Sequence, residues 1–131
     1  MRKTKILVVD DESDIKILFE QRFRKEIRQA EFVFLFANSG EEALNVLSKN
    51  FHEAILILSD INMPGMNGWE FLDAYKKLPE DQTRHIKVLM LTTSINPDEE
   101  KKAIDIPEVK GFIHKPLTPE KLEKAINVYI F

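Results

Sequence analysis

The stretch A-I-L-I-L-S-D-I-N-M-P-G-M-N-G, residues 54–68, decides how the rest of the chain is interpreted. Its branched and apolar residues stop abruptly at one carboxylate, Asp60, and two turn signals, Pro64-Gly65 and Asn67-Gly68, follow. A short apolar run between such breakers is typical of a strand buried on both faces of a parallel sheet. Asp60 would then lie at the carboxyl end of that strand, where open α/β sheets bind ligands. Taken alone, this carboxylate is more simply a strand end.

Composition limits the classes of protein to which the chain can belong. Its 131 residues suit one compact domain, 1–131, and 44% hydrophobic with 31% charged residues is typical of a globular chain. No apolar run approaches the roughly 20 residues that cross a bilayer, and the N-terminus is too short and acidic for a signal peptide. There is no cysteine, and the net charge of −3 argues against nucleic acid as a direct ligand. We expect a cytoplasmic domain that binds neither membrane nor nucleic acid.

Four further apolar runs alternate with stretches of helical spacing. The predicted strands are residues 5–9, 32–37, 54–60, 86–91 and 111–114. The five predicted helices start after Asp11 or Ser13, at the capping box 39–42, at Gly68, at Asn96-Pro97 and at Thr118-Pro119. The fourth of them must end before Pro107. This alternation predicts a doubly wound α/β fold with a parallel sheet, although the pattern does not determine the strand order.

Polar side chains follow four of the five strands. The set is Asp10 and Asp11, Asp60, Thr92, and Lys115. Right-handed crossovers place all of the strand-to-helix junctions at one edge of the sheet, so these side chains should converge. Three carboxylates so close together need protonation or a hard cation, and an oxygen-only ligand set favours Mg²⁺. A lysine and a threonine hydroxyl beside them suit phosphoryl oxygens, so the set predicts phosphoryl transfer to a carboxylate.

The chain resembles the response-regulator receiver domains of two-component signalling over essentially its whole length. The resemblance rests on I-L-V-V-D-D-E (6–12), L-S-D-I-N-M-P-G-M-N-G (58–68), V-L-M-L-T-T (88–93) and G-F-I-H-K-P-L (111–117). It implies a flavodoxin-like (βα)5 fold with strand order 2-1-3-4-5. It also implies a phospho-accepting protein, whose partners are a sensor histidine kinase or phosphotransfer protein and a downstream target.

The resemblance also implies a role for each residue of the site. Asp60 matches the phosphoacceptor, and Lys115 matches the lysine that pairs with the phosphoryl group, placed by a cis bond to Pro116. The implied Mg²⁺ ligands are Asp11, Asp60, Asp10 through water, and the backbone carbonyl of Asn62. Thr92 matches the switch hydroxyl, and Phe112 takes the place of the aromatic switch residue, where an ordinary strand residue is equally consistent.

Phosphorylation is expected to change one surface of such a domain. An acyl phosphate adds about −1.5 to −2 charges and three acceptor oxygens at the edge of the sheet. Thr92 and Lys115 would be drawn toward it, so the readout surface should comprise the fourth helix, the fifth strand and the fifth helix.

The sequence departs from the receiver pattern in the segment before the fifth strand. Residues 103–110 replace a run of small residues that many receivers carry there, which affects the length and exit of the fourth helix. Thr93 is larger than the residue that often follows the switch threonine. Asn62 and Ser94 occupy positions that tune hydrolysis of the acyl phosphate in the family.

Other functions stay open at this point. A receiver of this length would act as a diffusible binder or as a carrier in a phosphorelay, or would be a piece of a larger protein. A Mg²⁺-dependent phosphatase with an aspartyl nucleophile is an alternative, but it would need a general acid where this chain has Asn62, which cannot supply a proton. A receiver-like interaction module that is never phosphorylated is the third reading. In the leading interpretation the protein is not an enzyme, since it acts only on its own phosphoryl group.

Overall fold

The structure is a computed structural model that describes residues 4–12, 14–29, 32–50, 56–60, 68–83, 86–92, 97–107, 109–115 and 117–129. Within these ranges, helices and strands alternate along the chain. The strands are β1 (Thr4–Val9), β2 (Phe32–Ala37), β3 (Leu56–Asp60), β4 (Lys87–Thr92) and β5 (Val109–His114). The helices are α1 (Ile15–Arg22), α2 (Arg24–Arg28), α3 (Gly40–Asn50), α4 (Gly68–Lys76), α5 (Glu80–Thr83), α6 (Pro97–Ile104) and α7 (Pro119–Tyr129).

The five strands form one parallel sheet in the order β2-β1-β3-β4-β5. This confirms both the predicted doubly wound α/β class and the strand order that the resemblance implied. The three interior strands, β1, β3 and β4, are almost completely buried. The edge strand β2 has a neighbour on one side only, and its Phe34 and Phe36 are partly exposed, whereas Phe32 is buried.

Helices cover both faces of the sheet, as continuous apolar runs require. On one face, Phe19 and Phe23 of the α1 region and Leu122 and Ile126 of α7 pack on the strands. The opposite face carries α3 and α4, whose buried side chains include Leu47, Phe71, Leu72 and Tyr75. We call these the α1–α7 face and the α3–α4 face. They leave the strand ends as the edge at which polar groups can meet.

The first of the five predicted helices is divided, and a short helix that was not predicted follows the third. Phe23, with φ −108° and ψ 24°, separates α1 from α2, and α5 adds a short turn after Pro79. The ring of Phe23 stacks on Phe19 at 5.3 Å and lies 5.2 Å from Phe34, so it keeps its core position at the break. The predicted cap at Asp11 is wrong, because Asp14 occupies the N-cap position and its side chain makes no capping hydrogen bond. Ser13 lies outside the described residues.

Other predicted boundaries agree with the structure. The hydroxyl of Ser39 accepts the Glu42 N–H at 3.1 Å, while the Glu42 carboxylate accepts the N–H of Asn38 rather than that of Ser39. Thr118 caps α7 by accepting the N–H of Lys121 at 3.2 Å. Helix α6 begins at Pro97 and ends at Ile104, so it stops before Pro107 as predicted.

The fifth strand begins earlier than its predicted start at Gly111. Val109 pairs with Val88 and Gly111 pairs with Leu89, so Lys110 is an extra residue in the β5 register. Such an irregularity places one additional residue opposite the partner strand and is common at sheet edges. Val109 and Lys110 carry no turn signal, so the predicted strand was shorter than the observed one.

Among the helices in the described part of the chain, none has both the length and the apolar character needed to cross a membrane.

Candidate functional site

Strand register alone brings the predicted site residues to one edge of the sheet. Val9 pairs with Ser59, so Asp10 and Asp60 follow at the same level on neighbouring strands. Asp60 pairs with Leu91, and Thr92 with His114, so Thr92 and Lys115 come next along the same edge. The convergence predicted from the order of strands and helices is therefore present.

Asp10 is the most deeply buried carboxylate of this edge, with 2% of its side chain exposed. Its Oδ1 accepts the backbone N–H of Glu12 at 2.9 Å, and its own N–H donates to the carbonyl of Ala37 at 3.0 Å. A buried carboxylate is costly without partners, and these contacts keep Asp10 in place next to β2 and β3. The Asp10 carboxylate is therefore held in a fixed position at the site.

Lys115 connects two of the carboxylates. Its Nζ donates to Asp10 Oδ2 and to Asp60 Oδ2, each at 2.9 Å, while its backbone N–H donates to the carbonyl of Thr92 at 2.8 Å. The exposed fractions of the Lys115 and Asp60 side chains are 23% and 14%, so the ion pairs are partly shielded from water. Charge-assisted hydrogen bonds of this length hold the ammonium within reach of any group on Asp60.

The two carboxylates also determine the protonation of Lys115. Burial of the ammonium disfavours its charge and acts to lower its pKa, but the hydrogen bonds and charges of Asp10 and Asp60 outweigh that effect. The pKa of Lys115 is therefore raised above its ordinary value of 10.5. The side chain stays a cation throughout the physiological range.

This shift predicts a pH dependence of stability. A group whose pKa is raised by folding stabilises the native state fully below its unfolded pKa, and the contribution is lost as pH rises through the folded pKa. We expect the difference in free energy of unfolding between wild type and Lys115→Met to be constant between about pH 7 and pH 9 and to shrink above the ordinary lysine pKa of 10.5. Urea denaturation across this range measures it. A difference that grew above that value would contradict the assignment.

The three aspartates form a cluster that suits a hard cation. Asp10, Asp11 and Asp60 each offer a carboxylate oxygen, and these oxygens lie within 4.8 Å of one another. Three carboxylates with the one ammonium of Lys115 leave a formal charge of −2, which a single dication would neutralise. Oxygen donors without histidine or cysteine are the ligand set of Mg²⁺ rather than of zinc or copper. The residues present therefore fit a Mg²⁺ site.

Thr92 and Phe112 lie on the same face of the sheet. Thr92 is 5% exposed at the end of β4, two residues after Met90, and Met90 pairs with Phe112. Because side chains alternate along a strand, Thr92 and Met90 point to the same side. Phe112 is partly buried and packs against the α3–α4 face. The structure thus places both proposed switch residues on the α3–α4 face of the sheet.

Some predicted features lie outside the described residues. They are the carbonyl ligand Asn62, the neighbouring Thr93 and Ser94, and the peptide bond to Pro116.

The structure also shows contacts that the sequence analysis missed. The Arg22 guanidinium donates to the carbonyl of Leu117 at 3.0 Å, and Lys121 Nζ donates to the carbonyl of His114 at 3.0 Å. Lys102 Nζ lies 4.6 Å from the ring centroid of Trp69. The Arg22 contact joins α1 to the segment before α7, and the Lys102 contact joins α6 to α4. Their cations belong to exposed helical faces, where sequence spacing gives no signal of a partner.

Comparisons with known proteins agree with this geometry. The response regulator receiver domain family matches residues 6–127. Sporulation initiation phosphotransferase F of Bacillus subtilis is 32% identical and is covered over 96% of its length by 99% of this chain. Chemotaxis protein CheY1 of Helicobacter pylori is 34% identical over 96% of each protein.

Similarity to solved structures also extends over nearly the whole chain. A crystal structure of chemotaxis protein CheY4 of Vibrio cholerae has a TM-score of 0.78 and 30% identity, with 96% of this chain and 98% of that chain covered. Other relatives are longer, and the chain spans 26% of a probable cyclic di-GMP phosphodiesterase of Vibrio cholerae and 16% of the sensory/regulatory protein RpfC of Xanthomonas campestris.

Receiver domains interact with histidine kinases or phosphotransfer proteins, and they generally bind Mg²⁺ at an acidic pocket. The family match, the relatives covered over nearly their whole length and the shared sheet order lead to one conclusion. This chain belongs to the response regulator receiver domain family, and it is a phospho-accepting response regulator of two-component signalling.

Proposed function

We propose that Asp60 is the phosphoacceptor of this receiver and takes its phosphoryl group from a phosphohistidine of a sensor kinase or phosphotransfer protein. The observation that carries the proposal is the pair of 2.9 Å hydrogen bonds from Lys115 Nζ to Asp60 and Asp10 at the strand edge. An Asp60 carboxylate oxygen attacks phosphorus, a P–O bond forms, and the P–N bond breaks, its electron pair leaving with the imidazole nitrogen.

The neighbouring side chains hold the charge that this transfer produces. Lys115 pairs with an oxygen of the phosphoryl group, because its ammonium already lies within hydrogen-bond distance of Asp60. Thr92 is the hydroxyl at the end of the adjacent strand, and it donates to a second phosphoryl oxygen. Lys115 lies within hydrogen-bond distance of Asp60 before the reaction, so this donor needs little reorganisation, whereas Thr92 moves toward the phosphoryl group.

The acidic cluster supplies the metal ligands in this proposal. Asp10, Asp11 and Asp60 would hold Mg²⁺ with their carboxylates. The resemblance implies that Asp10 would do so through water and that the carbonyl of Asn62 would complete the set. A bound Mg²⁺ would supply positive charge to offset that of the phosphoryl oxygens. The carboxylates without it would repel an incoming phosphoryl group, so we propose that phosphorylation requires the metal.

The proposed readout surface is formed by α6, β5 and α7. Thr92 and Lys115 belong to the ends of β4 and β5, so movement of either toward a phosphoryl group displaces the segments on each side of them. Phe112 belongs to β5, which contacts α6, and is the proposed aromatic switch residue. The contact of Lys102 with Trp69 gives α6 a second attachment, to α4.

This contact predicts a spectroscopic readout of switching. The chain has one tryptophan, Trp69, and a cation over its ring is worth about 0.5–1 kcal/mol at exposed sites. If α6 moves on phosphorylation, we expect the Trp69 emission of the wild type to change, and Lys102→Met to reduce that change at least by half. Steady-state fluorescence before and after addition of a small acyl phosphate measures it. Lys101→Met is the matched control, and equal behaviour of the two variants would contradict the prediction.

We propose further that residues 1–131 form one receiver domain that acts on no phosphate other than its own. Its proposed place is the cytoplasm, where sensor kinases present their phosphohistidines, and its output partner is a protein that distinguishes the two forms of the readout surface. The acidic net charge of −3 supports a protein partner over nucleic acid or membrane.

One experiment tests the proposed function. The protein is incubated with acetyl phosphate and Mg²⁺ and its intact mass is recorded. A stoichiometric phosphoryl adduct that hydroxylamine removes is the expected result, because hydroxylamine cleaves acyl phosphates but not phosphate esters of serine or threonine. Multiple turnover of a phosphate ester would instead indicate the phosphatase, and the absence of any adduct would indicate an interaction module.

A further inference from the structure

The turn that carries Lys115 is held by two basic side chains. It connects the end of β5 at His114 with the start of α7 at Pro119. Lys121 Nζ donates to the carbonyl of His114 at 3.0 Å, and Arg22 donates to the carbonyl of Leu117 at 3.0 Å. The two accepting carbonyls lie on either side of Lys115, so the turn is fixed at both ends.

The two donors come from different helices. Arg22 is the last residue of α1, 95 residues from Leu117 in the chain, whereas Lys121 lies in the first turn of α7. Arg22 and Leu117 line the same groove as Asp10 and Lys115. Holding two long side chains in one conformation costs entropy, so the two hydrogen bonds to this short turn must offset that cost.

The turn follows a strand at the edge of the sheet, where few backbone hydrogen bonds hold it. Like β2, β5 is an edge strand, so its backbone has hydrogen-bonded strand neighbours on one side only. Beyond the β5 ladder, the Lys115 backbone is anchored to β4 by its N–H bond to the carbonyl of Thr92 at 2.8 Å. A shift of about 1 Å at a reacting group can cost up to about 10²-fold in rate. Anchors on the flanking carbonyls therefore matter to where the ammonium of Lys115 lies.

We propose that Arg22 and Lys121 are positioning residues that hold the Lys115 turn, and so place the Lys115 ammonium against the phosphoryl group. Neither touches the reacting atoms, and the proposal rests on the proposed phosphorylation of Asp60. Their removal should loosen the turn and misplace the ammonium, while the cluster of Asp10, Asp11 and Asp60 keeps its geometry.

The variants separate hydrogen bonding from charge and from packing. Arg22→Met and Lys121→Met keep an apolar stem and lose the donor, and they are combined as a double variant. Arg22→Lys and Lys121→Arg keep a cationic donor and should restore most of the function. Lys124→Met is the control, because Lys124 is an exposed lysine of the same helix as Lys121 and makes no hydrogen bond to any residue that the structure describes.

Two measurements give the test. With acetyl phosphate and Mg²⁺, we expect the rate of Asp60 phosphorylation to fall about 5- to 10-fold in the double Met variant and to be unchanged in Lys124→Met. Without any phosphodonor, we expect the Lys115 amide to exchange its hydrogen about three- to tenfold faster in the double variant, because its bond to Thr92 opens more often. This second readout does not depend on attraction of an anionic donor.

The outcomes distinguish this inference from the function on which it rests. Unchanged exchange of the Lys115 amide together with unchanged phosphorylation would overturn the positioning role while leaving the phosphoacceptor intact. If Arg22→Lys and Lys121→Arg lowered the phosphorylation rate as much as the Met variants do, the positioning role would also be overturned, since both substitutions keep a donor. A wild type that forms no adduct at all would overturn both proposals, and accelerated exchange would then show only that the two side chains stabilise the turn.

Discussion

Asp60→Asn is expected to abolish the phosphoryl adduct completely. The amide oxygen of asparagine carries no negative charge and does not attack phosphorus, so the nucleophile is lost while the shape of the site is kept. The substitution removes one of three like charges and leaves an oxygen that can accept from Lys115, so the fold should be retained. Intact-mass analysis after incubation with acetyl phosphate and Mg²⁺ measures the adduct, and thermal unfolding confirms the fold.

Asp73→Asn is the matched control for this loss. Asp73 lies on the exposed side of α4, so its substitution makes the same chemical change outside the site. We expect this variant to form the adduct as the wild type does. A hydroxylamine-sensitive adduct that persisted in Asp60→Asn would place the phosphoacceptor on another carboxylate, with Asp10 and Asp11 as the first to be substituted.

Much of this site could be predicted because it depends on strand ends. Periodicity identified the apolar runs, and crossover handedness required the residues after them to share one edge. The register then places Asp60 and Thr92 at the last paired positions of their strands, and Asp10 and Lys115 one residue beyond theirs. The strand order could not be predicted from the residues in this way, because every order of five buried strands satisfies the same hydrophobic pattern. It came from the resemblance alone.

What could not be predicted depends on long-range side-chain contacts. Arg22 falls at the three- and four-residue spacing of the core face, after Leu18 and Phe19, but that spacing does not identify the carbonyl of Leu117, 95 residues away, as its partner. The break at Phe23 was missed for a related reason. Phe23 keeps the three- and four-residue spacing of the core face while its backbone leaves the helix, and no glycine or proline marks the position. The position of Phe23 depends on its packing against Phe34 of β2 on the same face of the sheet.

The second large effect concerns Lys115, which is both a donor to the phosphoryl group and the counter-ion of the acidic cluster. Its Nζ neutralises part of the charge of Asp10 and Asp60. Removing one partner of a fully buried ion pair costs about 3–5 kcal/mol, and the cost here should be smaller because 23% of the Lys115 side chain is exposed. The variant should therefore fold, with three carboxylates that depend more strongly on a dication.

Lys115→Met is expected to slow phosphorylation by acetyl phosphate about 10²- to 10³-fold, the loss typical of removing one preorganised donor to a reacting oxygen. Its melting temperature should rise more on addition of Mg²⁺ than that of the wild type, because the carboxylates lose the cation that competes with the metal for them. Lys110→Met, an exposed lysine of the same strand, should change neither quantity. If Lys115→Met lost its response to Mg²⁺ while keeping its fold, the ammonium would be organising the metal ligands rather than opposing their charge. If it kept a wild-type phosphorylation rate, the pairing of Lys115 with the phosphoryl group would be wrong, even though the 2.9 Å contact with Asp60 would stand.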